Sequence, residues 1–487
     1  MVEDLIVYIG IDLGTSSVKL LLIDDKGKIR KEVTKEYPLY YPQENWSEQN
    51  PDEWYDKTYE GLKDLVMGYE NEIKAISFSG QMHGLVLLDA EDKIIRPAIL
   101  WCDQRTSLEC DEINSYFGKD ILKLTGNIAL TGFTAPKILW VKKNEPENFK
   151  KIKKILLPKD YLAFKLSGIY STDVSDASGM LLLDVNKRKW SKKMLDFFNV
   201  KEEQLPNLFE SYEVVGTLKG NLKDKLNLKN DIKIVAGGGD QAVGAIGVGA
   251  VKEGILSVAL GTSGVVFASS SKYVVDKDGR LHSFCHGNGE YHLMGVMLSA
   301  AASLKWWIED VEKTNDYSKL LLEAEEAKFD KNLHFLPYLM GERTPHNNPF
   351  ARGSLTGLNI QHKRGDITRG ILEGITFGLK DILEIIKDIN IDVKSVRVSG
   401  GGAKSEFWQQ MIANIFEVNV DIVNSTEGPA YGAAILAMVG DGIYKDVNTA
   451  CSTLIKVINS KVPNKTLEKK YREKYEIFKK LYPLLNS

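Results

Sequence analysis

One short motif occurs twice in this chain: a Gly-Thr-Ser turn set between apolar, β-branched runs, at residues 14–16 and again at 261–263. Around the first turn lie 6–13 and 17–23, and Asp24, Asp25, Lys26 and Gly27 then supply hairpin-turn chemistry. Around the second lie 255–260 and 264–270. Two such strand-turn-strand units in one chain predict two domains of related fold, each opening on its own hairpin. The expected division is 1–248 and 249–487. Just before it, the short strand 232–236 runs into Gly237, Gly238, Gly239 and Asp240, and QAVGAIGVGAV (241–251) reads as a small-residue helix able to pack closely between domains.

Helical periodicity at 51–69, 299–312, 364–388, 405–416 and 465–484 alternates with strands such as 73–79, 85–89 and 395–399, so the class is α/β. Low-complexity linkers are absent, which implies a compact hinge. The 469–479 stretch, with Lys469, Lys470, Arg472, Lys474 and Lys479, reads as a solvated terminal helix.

A net charge of −3 offers no field for nucleic acid or an anionic membrane, so a small-molecule ligand is the default. Cys102, Cys110, Cys285 and Cys451 follow no metal or disulfide spacing and read as reduced thiols of a cytoplasmic protein. Glu3 and Asp4 stand where a signal peptide carries basic residues, and no uncharged run is long enough to span a bilayer.

Three glycine-rich turns follow apolar strands: 12–17 (DLGTSS), 237–241 (GGGDQ) and 399–404 (SGGGAK). Such turns let backbone N–H groups approach phosphate oxygens with no Cβ in the way, and the hydroxyls of Thr15, Ser16 and Ser17 add donors. Plain α/β folds also change direction on one such turn; three together point to a nucleotide. A P-loop, a protein-kinase signature set and a dinucleotide fingerprint are all missing. What remains resembles the ATPases of actin, hexokinase and the heat-shock chaperones, whose two related domains clasp ATP between hairpins.

Asp12 precedes the first turn, whereas Ala259 holds the matching place before the second. A carboxylate there suits Mg²⁺, although a turn-capping aspartate fits as well. Asp240, at a strand end behind three glycines, suits a general base for a phosphoryl acceptor and equally suits a helix N-cap. In 77–84 (SFSGQMHG) the turn between two strands directs Gln81 and His83 at one ligand site, unless His83 is structural. Trp101, Asp103 and Arg105 alternate, which on a strand places an aromatic platform and two hydrogen-bonding groups on one face, a set suited to a sugar.

Across residues 6–435 the chain resembles the FGGY carbohydrate kinases, and within them the xylulokinase group. The likeness is carried by IGIDLGTSSVK, GFTAPKILWVKKNE, GGGDQAVGA, VALGTSG, HSFCH, FLPYLMGERTPHNN, GSLTGLN and SGGGAKSEFW. It implies ATP and Mg²⁺ as co-reactants, D-xylulose as acceptor through Met82 and His83, Asp240 as proton acceptor and Asp12 as metal-site acid. It also implies that Gly261 and Thr262 lie by the ATP phosphates, that Gly401, Gly402 and Lys404 lie by the adenosine, and that Trp101, Asp103 and Arg105 line the sugar side. A homodimer enters by analogy only. The alternatives are a kinase for another ketose or polyol, or an actin-like ATP switch with no sugar. One departure stands out: Gly370 falls where the family signature has Ala or Ser.

Overall fold

A computed structural model describes residues 5–425 and 427–485; Glu3 and Asp4, used above against a signal peptide, lie outside the described residues. The first sheet opens with β1 (Val7–Leu13), β2 (Ser17–Asp24) and β3 (Ile29–Glu36), followed by β4 (Ile73–Gly80), β5 (Val214–Thr217), β6 (Lys233–Val235) and the two-residue β7 (Gly238–Gly239). The second comprises β8 (Ile255–Leu260), β9 (Gly264–Ser270), β10 (His282–Cys285), β11 (Tyr291–Met297), β12 (Ser395–Ser399), β13 (Asn419–Val423) and β14 (Val457–Lys461).

The strand orders coincide. The first sheet runs β5-β6-β4-β1-β2-β3 and the second β10-β11-β9-β8-β12-β13-β14. In each, a hairpin pairs antiparallel with a third strand on one side, and on the other meets two parallel strands and then an antiparallel one. The repeated Gly-Thr-Ser turn is thus the visible part of a six-strand repeat. This two-lobe arrangement is the actin-like ATPase fold. Its sequence logic is plain in the first sheet: central β1 is apolar along nearly its whole length because both faces are covered, whereas edge β3 (IRKEVTKE) alternates.

Five helices place the site. These are α1 (Thr134–Asn144), α2 (Asp240–Gly247), α3 (Arg364–Asp388), α4 (Gly428–Asp441) and α5 (Lys465–Leu485). The small-residue stretch forms α2, and its partner is α4, which comes from the far end of the sequence yet lies on β1 and β4 of the first sheet. Contact is backbone to backbone. A Cβ on Gly432 would lie 2.0 Å from the Val243 oxygen, one on Gly247 1.8 Å from the Gly428 oxygen, and one on Gly10 2.0 Å from the Ala430 oxygen. We therefore propose 1–248 and 249–487 as lobes defined by their strand repeat, with α4 lent by the second to the first.

Helix α5 corrects the expectation of a solvated terminus. Tyr471, Tyr475 and Phe478, spaced to share one helical face, enter the core of the second lobe. Lys474 is buried with them, its ammonium bonded to the Glu373 carboxylate and the Asp330 carbonyl. Basic residues masked that stripe. Gly370 on α3 leaves room for a core neighbour: an added Cβ would sit 3.3 Å from Leu333 Cδ2. All four cysteines are free thiols, and no helix among the described residues is long and apolar enough to cross a membrane.

Candidate active site

The carboxyl ends of β1, β4 and β7 converge. Asp12 on β1 lies across from Ser79 on β4, Gly239 on β7 lies across from Gly80, and the chain then turns into α2 at Asp240. Gly239 holds the capping position without a side-chain bond, so Asp240 is the first helical residue and its carboxylate sits at the positive end of α2.

Asp12 and Asp240 both line a cavity of about 330 Å³ whose far wall carries Ala259, Gly261 and Gly400 of the second lobe. Burial raises the Asp240 carboxyl to about 7, helped by the charge on Asp12 and opposed by hydrogen bonds from Gln241. Burial also raises Asp12, against the nearby Ser79 hydroxyl and the Lys19 ammonium. The Oδ1 of Asp12 is buried with no partner.

Asp240 has a second exposure. With Thr15, Met82, His83, Trp101 and Gln241 it lines a cavity of about 170 Å³, below the ~300–1,000 Å³ of drug-sized sites and suited to a small polyol. The His83 backbone is left-handed, φ 70°, which turns its carbonyl toward α1, where Lys137 Nζ donates to it at 2.9 Å and Thr134 Oγ1 at 3.1 Å. Lys137 also donates to the Gly132 carbonyl at 2.7 Å, and burial among these groups depresses its ammonium to about 7. The His83 imidazole, driven down to about 3 by burial, is neutral; its Nδ1 pairs with the Gly179 carbonyl at 2.9 Å, so Nδ1 carries the proton and Nε2 is an acceptor.

On the other side of the hairpin turns, a cavity of about 740 Å³ is lined by Thr262, Trp306, Gly401, Gly402, Lys404 and Trp408. Gly402 is obligatory there, since a Cβ would lie 2.6 Å from the Trp408 ring. Apolar walls beside glycine turns suit a purine and its ribose.

Several expected residues stand elsewhere. Asp103 and Arg105 pair with each other at 2.9 and 2.7 Å, and Arg105 also meets Glu48 and stacks on Trp46, its guanidinium 3.6 Å from the ring centre. Both side chains are buried, and neither lines the sugar-sized cavity. The alternation argument assumed a strand, but this segment is a turn, in which the Asp103 carboxylate accepts from the Arg105 amide two residues on. Gln81 braces the first hairpin, donating to the Gly14 carbonyl at 3.3 Å and to Gln49 at 3.1 Å. Thr15 faces the sugar-sized cavity, where its hydroxyl accepts from Trp101 Nε1 at 3.0 Å, and Ser16 is exposed at the turn. Sequence reasoning missed Gln241, Lys137 and Arg343, although all three stand inside motifs quoted above.

A two-lobe actin-like fold with an acid pair between a nucleotide-sized and a sugar-sized cavity defines an ATP-dependent kinase of small polyols. The chain belongs to the FGGY family of carbohydrate kinases: the family's N-terminal domain model matches residues 7–247 and its C-terminal domain model 256–440. Kinases of this family use ATP. The xylulose kinase of Bacillus subtilis (strain 168) is 40% identical over 479 residues, covering 97% of this chain and 96% of that one. Among solved structures, the xyloylose kinase from Brucella ovis superposes with a TM-score of 0.94 at 37% identity, covering 99% of each chain. The gluconate kinase from Lactobacillus acidophilus superposes with a TM-score of 0.93 at 28% identity, covering 99% of this chain and 98% of that one.

Proposed function

We propose that this protein transfers the γ-phosphoryl group of ATP to the terminal hydroxyl of D-xylulose, giving D-xylulose 5-phosphate and ADP. The observation that carries the reading is the place of Asp240, whose carboxyl, raised to about 7, borders both the sugar-sized cavity and the cavity beneath the two hairpins. The identity of the sugar rests on the likeness to xylulose kinases over nearly the whole chain.

In this mechanism the sugar lies between Trp101 and the Met82-His83 turn with its terminal hydroxyl toward Asp240. The Asp240 carboxylate takes that hydroxyl's proton as the oxygen bonds to the γ-phosphorus and the bridging oxygen leaves with ADP. A base titrating near neutrality is matched to such a step. Phosphates lie along Gly261 and Thr262, and the adenosine lies in the larger cavity by Gly401, Gly402 and Lys404. The unpartnered, buried Oδ1 of Asp12 fits a hard cation, so Asp12 would hold Mg²⁺, which offsets phosphate charge when bound. A cytoplasmic setting follows from the need for ATP.

Coupled ADP release across pentuloses, alditols, glycerol and gluconate, with the phosphorylated carbon identified by NMR, tests the reading. D-xylulose should give the highest kcat/KM and a 5-phosphate. Faster turnover of another acceptor, or ATP consumption indifferent to sugar, would overturn it.

A further inference from the structure

The wall of the sugar-sized cavity contains a half-buried arginine that has no acid partner among the described residues. Arg343, in the loop between the short strands His334–Leu336 and Ser354–Thr356 of the second lobe, lines this cavity. Among the described residues its guanidinium has neither a carboxylate within ion-pair distance nor a hydrogen-bond acceptor. The neighbouring Glu342 acts on it by charge, without a hydrogen bond. Glu342 Oε1 accepts instead from the Leu298 amide at 3.0 Å and the Arg343 amide at 2.7 Å, and burial pushes its carboxyl up to about 8. Arg105, by contrast, pairs with Asp103 and Glu48, and Arg369 with Glu373. A half-buried guanidinium with no acid beside it, lining a cavity, can donate to the oxygens of a ligand there.

Its position along the cavity is also defined. A guanidinium nitrogen lies 3.7 Å from where a Cβ on Gly132 would stand. Its charge acts on His83 and His282, whereas Asp240 is perturbed by burial, Asp12 and Gln241. Arg343 therefore stands on the Gly132 side of the cavity. A ketose with its terminal hydroxyl at Asp240 extends its carbonyl and C1 oxygens away from the base, along the cavity that Arg343 lines.

We propose that Arg343 is the recognition group for the C1 and C2 oxygens of the sugar, and that it admits a second ligand class to the same cavity: open-chain polyhydroxy acids, whose carboxylate takes the place of those oxygens. The inference rests on the reading that this cavity is the sugar site. A planar guanidinium donates in parallel to two oxygens, and a carboxylate matches that fork better than a carbonyl and a hydroxyl do. The second lobe thereby supplies the one charged group facing the sugar from its side, so occupancy by either ligand ties the lobes together.

D-xylonate is the probe, because it keeps the C3 and C4 configuration of D-xylulose and ends in a carboxylate; xylitol is its neutral control. In the unaltered enzyme, D-xylonate should compete with D-xylulose and bind more tightly than xylitol. Arg343→Met should raise the D-xylonate inhibition constant and the D-xylulose KM by about 10- to 100-fold, the range for a lost charge-assisted hydrogen bond. The ATP KM should stay within about 3-fold, and Arg343→Lys should restore part of the D-xylonate affinity. The proposal is overturned if D-xylonate binds no better than xylitol, or if Arg343→Met weakens both equally with ATP binding intact. Calorimetry of D-xylonate binding separates the two readings: Arg343-dependent binding without D-xylulose turnover would sink the substrate assignment and leave this inference standing.

Discussion

Replacing Asp240 by Asn should make the protein nearly inactive and more stable at once. The carboxyl rises from 3.8 to about 7 because burial and the Asp12 charge disfavour ionisation. A shift of about three units at ~1.36 kcal/mol each is roughly 4 kcal/mol held against the ionised fold. Water in the two cavities bordering the side chain lowers that to about 2 kcal/mol. The sign follows from the raised pKa. Below the unfolded value near 4 both states are protonated and Asp240 costs nothing; as pH climbs toward 7 the folded state resists losing its proton, and above 7 the full cost applies. Asn at 240 carries no charge at any pH. Thermal unfolding should therefore show the variant about equal to the parent near pH 4 and ahead by several degrees at pH 8, taking ~2–4 °C per kcal/mol for a lobe of this size. Over the same range kcat should fall by about 10²- to 10⁴-fold, as for a lost general base. In the parent, kcat/KM should rise with pH through about 7 as Asp240 deprotonates. A variant within threefold of parental kcat, or a stability difference that does not vary with pH, would refute the reasoning.

Asp12→Asn should raise the Mg²⁺ concentration for half-maximal rate by about 10-fold or more, and shift the acidic limb of kcat/KM to lower pH, because Asp12 helps hold the Asp240 carboxyl up; unchanged Mg²⁺ dependence argues against a metal role. Lys137→Met leaves the buried Gly132 carbonyl without its donor and the His83 carbonyl with Thr134 alone, so chemical denaturation should show a loss of about 2 kcal/mol and the D-xylulose KM should rise while the ATP KM holds. Gly432→Ala drives a Cβ to 2.0 Å from the Val243 oxygen and should cost about 3 kcal/mol, whereas Gly244→Ala on α2, its Cβ 3.5 Å from the Pro429 ring of α4, should be tolerated in the same melting assay.

The division between what was legible in the sequence and what was not follows from the range of the forces involved. Local rules recovered the hairpins, because turn chemistry and β-branched alternation are set within a few residues, and they put Asp240 at the cleft because a strand running into three glycines leaves the next side chain at a cavity wall. They failed where a side chain's fate depends on partners far along the chain. Arg105 has the composition of a sugar ligand, but Trp46 and Glu48, more than fifty positions upstream, claim it. Lys474 has the composition of surface, but Glu373 and the aromatic residues of α5 take it inside. Arg343 is the converse case: a charged residue in a loop, unremarkable in sequence, becomes informative only when the fold sets it, half-buried, in the wall of the sugar-sized cavity with no acid paired to it among the described residues. The useful signal for function is thus an imbalance between burial and pairing. Asp12 Oδ1 and the Asp240 carboxyl carry it, the Arg343 guanidinium adds a half-buried charge, and each borders a cavity where a ligand's cation, proton or oxygen would restore the balance.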